Sequence, residues 1–149
     1  LDTLPRAKRE YVKGNFVFKV SLGNVWRKIA LSSAKTMDDL HRAIQKAFDF
    51  DGDHLYAFFM DNQRWSDYSY ESPYSEEGIS AADVRIGDID LVVNQSFLYL
   101  FDFGDEWTFS VQLFEIRRDE PLLRKPKILE THGEAPEQYP DFDDDRDEI

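Results

Sequence analysis

Large hydrophobic residues alternate with smaller or polar ones along the most apolar part of the chain, residues 97–113. A period of two is typical of β-strands that bury one face. Gly104-Asp105 interrupts the alternation and favours a two-residue turn. The alternation slips by one residue after Leu113, which indicates a β-bulge or the end of the strand. The pattern predicts a β-hairpin at the centre of a sheet, with these inward residues: Phe97, Tyr99, Phe101, Phe103, Trp107, Phe109, Val111 and Leu113.

The same alternation predicts further strands on both sides of this hairpin. Gly23-Asn24 has the composition of a second two-residue turn, so the strands around it are predicted to pair. Arg27 falls on the inward face of the second of these strands, so either it meets a carboxylate or the strand bends there. Pro126 places the last strand at a sheet edge, because proline cannot donate to a ladder. The predicted strands cover residues 15–22, 25–31, 54–60 and 127–130, with a further short strand at 64–70.

A different period, with apolar residues three and four positions apart, predicts an amphipathic helix over Met37–Phe50. Thr36 and Asp39 have the spacing of a capping box, and Gly52 is expected to end the helix. His41 lies beside the apolar stripe and is interpreted as a partly exposed, hydrogen-bonded side chain. A short helix is also expected within residues 80–93. The predicted fold class is α+β: a largely antiparallel sheet of hairpins with one main amphipathic helix and one or two short helices packed on it.

Charge divides the chain of 149 residues into three parts. Residues 1–14 carry a basic cluster and are interpreted as an N-terminal basic arm. Residues 15–140 contain the predicted elements and form a single α+β domain. Six of the nine residues 141–149 are acidic, and this segment is predicted to be a disordered tail. The basic cluster consists of Arg6, Lys8, Arg9 and Lys13.

Composition narrows the classes of function. The chain has no cysteine, which excludes disulfides and thiolate metal sites and makes a reducing cytoplasm the predicted compartment. No apolar run approaches the ~20 residues that span a bilayer, and no signal peptide is visible, so no membrane association is predicted. The net charge of −12 repels a phosphate backbone and disfavours nucleic-acid binding.

Four stretches in this order resemble the plasmid pRiA4b ORF-three-like family, whose members occur on plasmids, in insertion sequences and in prokaryotic chromosomes. The resemblance implies an α+β fold and no established activity, and it suggests a mobile-element-associated nucleic-acid accessory role as one alternative. Residues 135–139, Ala-Pro-Glu-Gln-Tyr, stand where many members have a cysteine-containing segment, so no thiol or metal role is carried over from it. The matching stretches are Val25–Ile29, Leu40–Phe48, His54–Phe58 and Phe101–Trp107.

One candidate chemistry is metal-dependent hydrolysis. Asp102 and Asp105 lie at the tip of the central hairpin, and His54 begins a neighbouring strand. Carboxylates with an imidazole can hold a divalent cation that activates water. The alternative is structural, because aspartate is favoured in tight turns and Asp102 can satisfy hydrogen bonds there or pair with Arg27. No cofactor is predicted, and the sequence disfavours an enzymatic function without excluding it.

The favoured hypothesis is a small protein-binding module with an unidentified protein partner. Aromatic residues are spread through the polar stretch 61–82, and Trp26 is expected to face outward. Exposed aromatic side chains are typical of interfaces, although they also pack loops onto a domain or serve homodimerisation. The acidic tail is a second feature that suits a basic partner. The candidate binding residues are Trp26, Trp65, Tyr68, Tyr70 and Tyr74.

Overall fold

The structure is a computed structural model that describes residues 10–52 and 54–139. Its strands are β1 (Asn15–Leu22), β2 (Val25–Ser32), β3 (Tyr56–Phe59), β4 (Ser69–Glu71), β5 (Ile79–Ser80), β6 (Ser96–Phe101), β7 (Trp107–Arg117) and β8 (Lys127–His132), and its α-helix is α1 (Met37–Ala47). The eight strands form one sheet in the order β5-β4-β3-β6-β7-β1-β2-β8.

This architecture corrects the predicted fold class. The described chain is an eight-stranded mixed sheet with one α-helix, so an α+β domain with a main helix and further short helices packed on a sheet of antiparallel hairpins is wrong. The segment expected to be helical within 80–93 forms two three-residue 3₁₀ turns, Ala81–Asp83 and Ile86–Asp88. Val84, Arg85 and Ile89 have extended backbone conformations, so each turn ends after three residues and no longer helix forms. The sheet is mixed because β5 pairs with β4 in parallel.

The β6–β7 hairpin holds the two middle positions of the sheet, as its apolar alternation predicts. The turn differs from the prediction: Phe101 pairs with Trp107, so the loop has five residues rather than two. Of the two predicted explanations for the slip after Leu113, the structure shows the β-bulge, because the pairing between β1 and β7 passes from Leu113 to Glu115 and leaves Phe114 unpaired. The loop of residues 102–106 therefore joins the two central strands of the sheet.

Helix α1 begins at Met37 with a complete capping box between Thr36 and Asp39. It ends at Ala47, three residues before the predicted end. The cause is Asp49, whose φ of 58° lets the chain leave the helix while the Phe50 amide donates to Gln45 O at 2.8 Å. Aspartate tolerates this left-handed conformation better than most residues, so it ends the helix in the place of a glycine.

Two hydrophobic clusters lie on opposite faces of the sheet. The main core contains α1 and the inward side chains of the central strands, including Phe97, Tyr99 and Phe109. A smaller cluster on the other face consists of Ala57, Phe59 and Leu100, with Leu98 and Phe103 packed against it. Because the second cluster has no helix over it, loop residues have to cover it.

The buried Arg27 has no carboxylate partner within the part of the chain that the structure describes. Its guanidinium donates to the carbonyl oxygens of Trp26, Ala47, His132 and Gly133 at 3.0–3.2 Å. Arg27 therefore joins the end of α1 to the edge strand β8.

The structure describes only the last part of the predicted N-terminal arm and no residue of the predicted acidic tail. Residues 1–9 of the basic arm and the acidic tail 141–149 lie outside the described residues. Val12 donates to Gly87 O at 2.8 Å, so the last part of the predicted arm is bound to the domain. Among the residues described, no helix has the length and apolar character required to cross a membrane.

Candidate functional site

The loop between β6 and β7 fixes Asp102 by local hydrogen bonds. Asp102 has a φ of 65°, and its Oδ1 accepts from the amides of Gly104 at 3.1 Å and Asp105 at 3.3 Å. The Glu106 amide donates to Asp102 O at 2.5 Å. One carboxylate oxygen is thus used in the turn, which is the structural role considered for this residue.

His54 lies beside Asp102 but is also engaged elsewhere. Its Nε2 is 3.7 Å from Asp102 Oδ2 and 2.5 Å from the hydroxyl of Tyr139. The carboxylate of Asp105 makes no hydrogen bond or ion pair with either of them. Among the described residues, no group of three or more His, Asp or Glu side chains is arranged to hold a metal ion. The structure brings together two of the three predicted ligands, and metal-dependent hydrolysis remains a prediction.

The aromatic residues of the 61–82 stretch divide between the two faces of the sheet. Trp65 packs edge-on against Phe59 at 5.7 Å and Phe103 at 5.2 Å between ring centroids, so it covers the smaller cluster. It is still 54% exposed, and Tyr74 is 85% exposed. Trp65 has a φ of 62°, a left-handed conformation that is rare for a large side chain.

A groove of about 610 Å³ runs between these exposed rings. Leu55, Trp65, Tyr74 and Phe103 line its apolar part. Four carboxylates, three serines and a glycine are among the other lining residues, and no Lys or Arg is among them. We call this surface the aromatic–acidic groove; its acidic residues are Asp67, Glu71, Glu76 and Glu77.

The other predicted binding residues lie away from this groove. Tyr68 is exposed but does not line it, and Tyr70 packs against the main core. Trp26 is on β2, four strands from β3 in the sheet, where it stacks on His132 at 5.3 Å with Lys19 Nζ 4.7 Å from its ring. The five aromatics therefore do not form one binding surface.

A buried polar network beneath α1 was missed by the sequence reasoning, which placed His41 in a partly exposed position. His41 is 6% exposed, its Nδ1 lies 2.5 Å from the Tyr99 hydroxyl, and its ring stacks on Tyr56 at 3.8 Å. Tyr56 donates to Asp38, which also accepts from Arg42 at 3.0 Å. A polar residue every three or four positions along α1, namely Asp38, His41 and Gln45, is the signal that could have revealed it.

Burial changes the acid–base properties of this network. It lowers the pKa of His41 to about 4, with opposing effects from Asp38 and Arg42, so the ring is neutral at pH 7. Burial, then the hydrogen bond to Asp38, raises the pKa of Tyr56 far above its usual value. Burial likewise raises the pKa of Tyr99. All three rings are therefore uncharged near neutral pH.

Known proteins resemble this chain in both sequence and structure. The family model for the plasmid pRiA4b ORF-3-like protein matches residues 16–140. The uncharacterized protein y4hQ of Sinorhizobium fredii (strain NBRC 101917 / NGR234) is 30% identical over 118 residues, 75% of this chain and 57% of that protein. The chain thus spans little more than half the length of this curated relative.

A solved structure is also similar to this chain. The crystal structure of a protein of unknown function, MM3350 from Methanosarcina mazei Go1, has a TM-score of 0.66 and 25% sequence identity, over 83% of this chain and 72% of that one. Neither relative has a described activity, so the comparisons bring no function with them. The family match covers α1 and the whole sheet except Asn15, the first residue of β1. This chain belongs to the plasmid pRiA4b ORF-3-like protein family.

Proposed function

We propose that the chain is an interaction module that binds a basic, extended segment of another protein in the aromatic–acidic groove. The observation that carries the proposal is the lining of the groove, where exposed aromatic rings stand beside four carboxylates without a basic side chain. Apolar and aromatic side chains of a partner would contact Trp65 and Tyr74. Its Lys or Arg side chains would meet the carboxylates.

The aromatic residues are suited to supply most of the binding energy. Tryptophan and tyrosine offer large contact areas and have few rotatable bonds, which is why they are frequent at the centre of interfaces. Trp65 is already held on Phe59 and Phe103, so little side-chain entropy is lost when a partner covers it. The carboxylates are suited to selecting the partner and speeding its approach.

The test measures binding of a short fluorescein-labelled peptide that alternates lysine and leucine, by fluorescence anisotropy. We expect Trp65→Ala to weaken binding about tenfold or more, because it removes the central ring. Trp26→Ala is the matched control, because this tryptophan lies on β2, away from the groove. Melting curves of both variants check that the domain stays folded.

A second pair of variants separates the groove from the overall negative charge. Glu76→Gln with Glu77→Gln removes two groove carboxylates, whereas Glu134→Gln with Glu137→Gln removes two exposed carboxylates that do not line it. Both double variants change the net charge equally. We expect weaker binding and a smaller salt dependence for the first pair alone. Equal effects of the two pairs, or unchanged binding by Trp65→Ala, would contradict the proposal.

A further inference from the structure

A second pocket adjoins the groove and lies on the side of the sheet that α1 covers. Its volume is about 950 Å³, within the range of small-molecule sites. His41 and Gln45 from α1, Tyr56 from β3 and Gly52 are among its lining residues. This pocket has no part in the function proposed above, although Leu55 and Tyr74 border both.

One buried polar atom in this pocket has no partner. Gln45 is 5% exposed, and its Nε2 donates to the Tyr99 hydroxyl at 2.8 Å. Its Oε1 is buried without a hydrogen bond from any described residue. Buried polar side-chain atoms are usually hydrogen-bonded, so an orphaned acceptor at a pocket wall points to a missing donor.

The same hydroxyl sets the protonation of His41. The Tyr99 hydroxyl accepts from Gln45, so its one hydrogen is free to donate to His41 Nδ1. The neutral ring then carries its proton on Nε2, and no described residue accepts it. In the reverse arrangement His41 Nδ1 donates to the Tyr99 hydroxyl, and this hydroxyl donates to the side-chain oxygen of Gln45. His41 Nε2 is then the free acceptor and the Gln45 amide nitrogen is the free donor. In either case one donor and one acceptor remain free.

These two free atoms both lie beside Gly52. A Cβ added to Gly52 would be 3.6 Å from His41 Nε2 and 3.8 Å from Gln45 Oε1, so both atoms lie around one point. Among the described residues, no hydrogen bond holds Gly52 itself. A group that reaches the Gln45 oxygen has to move the Gly52 backbone outward, while Gln138 holds the backbone of the preceding residue, Asp51.

We propose that this pocket binds a small molecule that carries a carboxamide on a flat ring. The carboxamide N–H donates to Gln45 Oε1, and its carbonyl oxygen accepts from His41 Nε2. An amide carries one donor and one acceptor, which match the free acceptor of Gln45 and the free donor of His41. The ring lies among the aromatic side chains of the pocket wall, of which Phe50, Tyr56 and Tyr74 are members.

The experiment uses benzamide as the probe and methyl benzoate as its matched partner. Methyl benzoate keeps the ring and the carbonyl acceptor but has no N–H for Gln45. We expect ligand-detected NMR to give millimolar binding of benzamide and binding of methyl benzoate at least tenfold weaker. We also expect benzamide to shift the ring ¹⁵N signals of His41. No binding of benzamide, or equal binding of the two compounds, would overturn the proposal.

Variants of the protein locate the binding. In Gly52→Ala the new methyl makes ordinary van der Waals contacts with both atoms, and Gly52 lacks a left-handed backbone, so the fold should accept it. We expect the affinity for benzamide to fall at least tenfold. Gly104→Ala is the matched control, because this glycine lies in the β6–β7 loop with its nearest contact at 3.4 Å.

A second variant keeps the test decisive if the first one unfolds. Gln45→Met keeps the side-chain length but removes the free acceptor, and we expect the same loss of benzamide binding. Circular dichroism checks that each variant is folded. Benzamide binding that survives in a folded Gly52→Ala or Gln45→Met variant would place the compound elsewhere and overturn the proposal.

Discussion

At the scale of single residues, His41 is expected to make stability depend on pH. The pKa of His41 falls from 6.5 to about 4 on folding, mainly because the ring is buried. Between these values the unfolded chain binds a proton that the folded chain does not. The free energy of unfolding therefore decreases as the pH falls from about 6.5 to about 4, by up to about 3 kcal/mol from this residue.

The variant His41→Phe isolates this contribution. It leaves the Tyr99 hydroxyl without its acceptor, which costs a constant free energy of about 1–3 kcal/mol at every pH. The titrating step disappears, so the stability gap between wild type and variant should narrow as the pH is lowered. Urea unfolding at a series of pH values measures the gap. A gap independent of pH would show that the ring is not held neutral by the fold.

Residue-scale placement was predictable only where the contact is local. The turn role of Asp102 follows from short-range rules, since its carboxylate bonds to amides two and three residues ahead. The burial of His41 depends on Tyr99, 58 positions away, and on Tyr56 in another strand. Helical periodicity places His41 beside the apolar stripe but says nothing about which side chains cover it.

At the scale of the elements, Arg27 is expected to hold α1 and the edge strand β8 together. Removing its guanidinium in Arg27→Met leaves the carbonyls of Ala47, His132 and Gly133 without this donor. We expect a loss of about 3 kcal/mol in the free energy of unfolding, measured with urea. Arg27→Lys should recover only part of the lost stability, because the single nitrogen of an ammonium group cannot replace all the N–H donors of a guanidinium.

A surface arginine provides the control for this prediction. Arg64 pairs with Glu106 at 2.8 Å, but both side chains are largely exposed. Arg64→Met should therefore change stability by no more than about 0.5 kcal/mol. If the two methionine variants were equally stable, Arg27 would not be a link between the elements.

The elements themselves could be predicted from the sequence to different degrees. The period of two located β1, β2, β6 and β7, and the capping box located the start of α1, because these signals are local. The parallel pairing of β5 with β4 could not be predicted, since two strands of two and three residues are too short to have a clear period.

At the scale of the whole molecule, the two faces of the sheet are covered by different elements. Helix α1 covers one face, and its apolar stripe made that contact predictable. The other face has a small cluster around Phe59 that Trp65 covers from a loop. Aromatic residues in a polar loop can pack on the domain or bind a partner, and the sequence left both open. In the structure Trp65 packs on the domain and still exposes half of its surface.

The net charge of −12 is expected to make stability depend on salt. A compact chain with this excess of like charge repels itself more than the extended unfolded chain does, and salt screens the repulsion. Salt also weakens exposed ion pairs such as Arg85–Asp88 and Arg117–Glu115, but such pairs contribute little. The screening of self-repulsion should be the larger effect. The melting temperature at pH 7 should therefore rise by about 2–5 °C between about 20 and 200 mM NaCl.

The pH at which the charge vanishes supplies the control for this effect. Near the isoelectric point of about 4.6 the carboxylates are partly protonated and the net charge is close to zero. Screening then has no repulsion to remove, so the same addition of salt should leave the melting temperature nearly unchanged. A decrease at pH 7 would mean that ion pairs outweigh self-repulsion. An equal rise at both pH values would point to a salt effect that does not depend on charge.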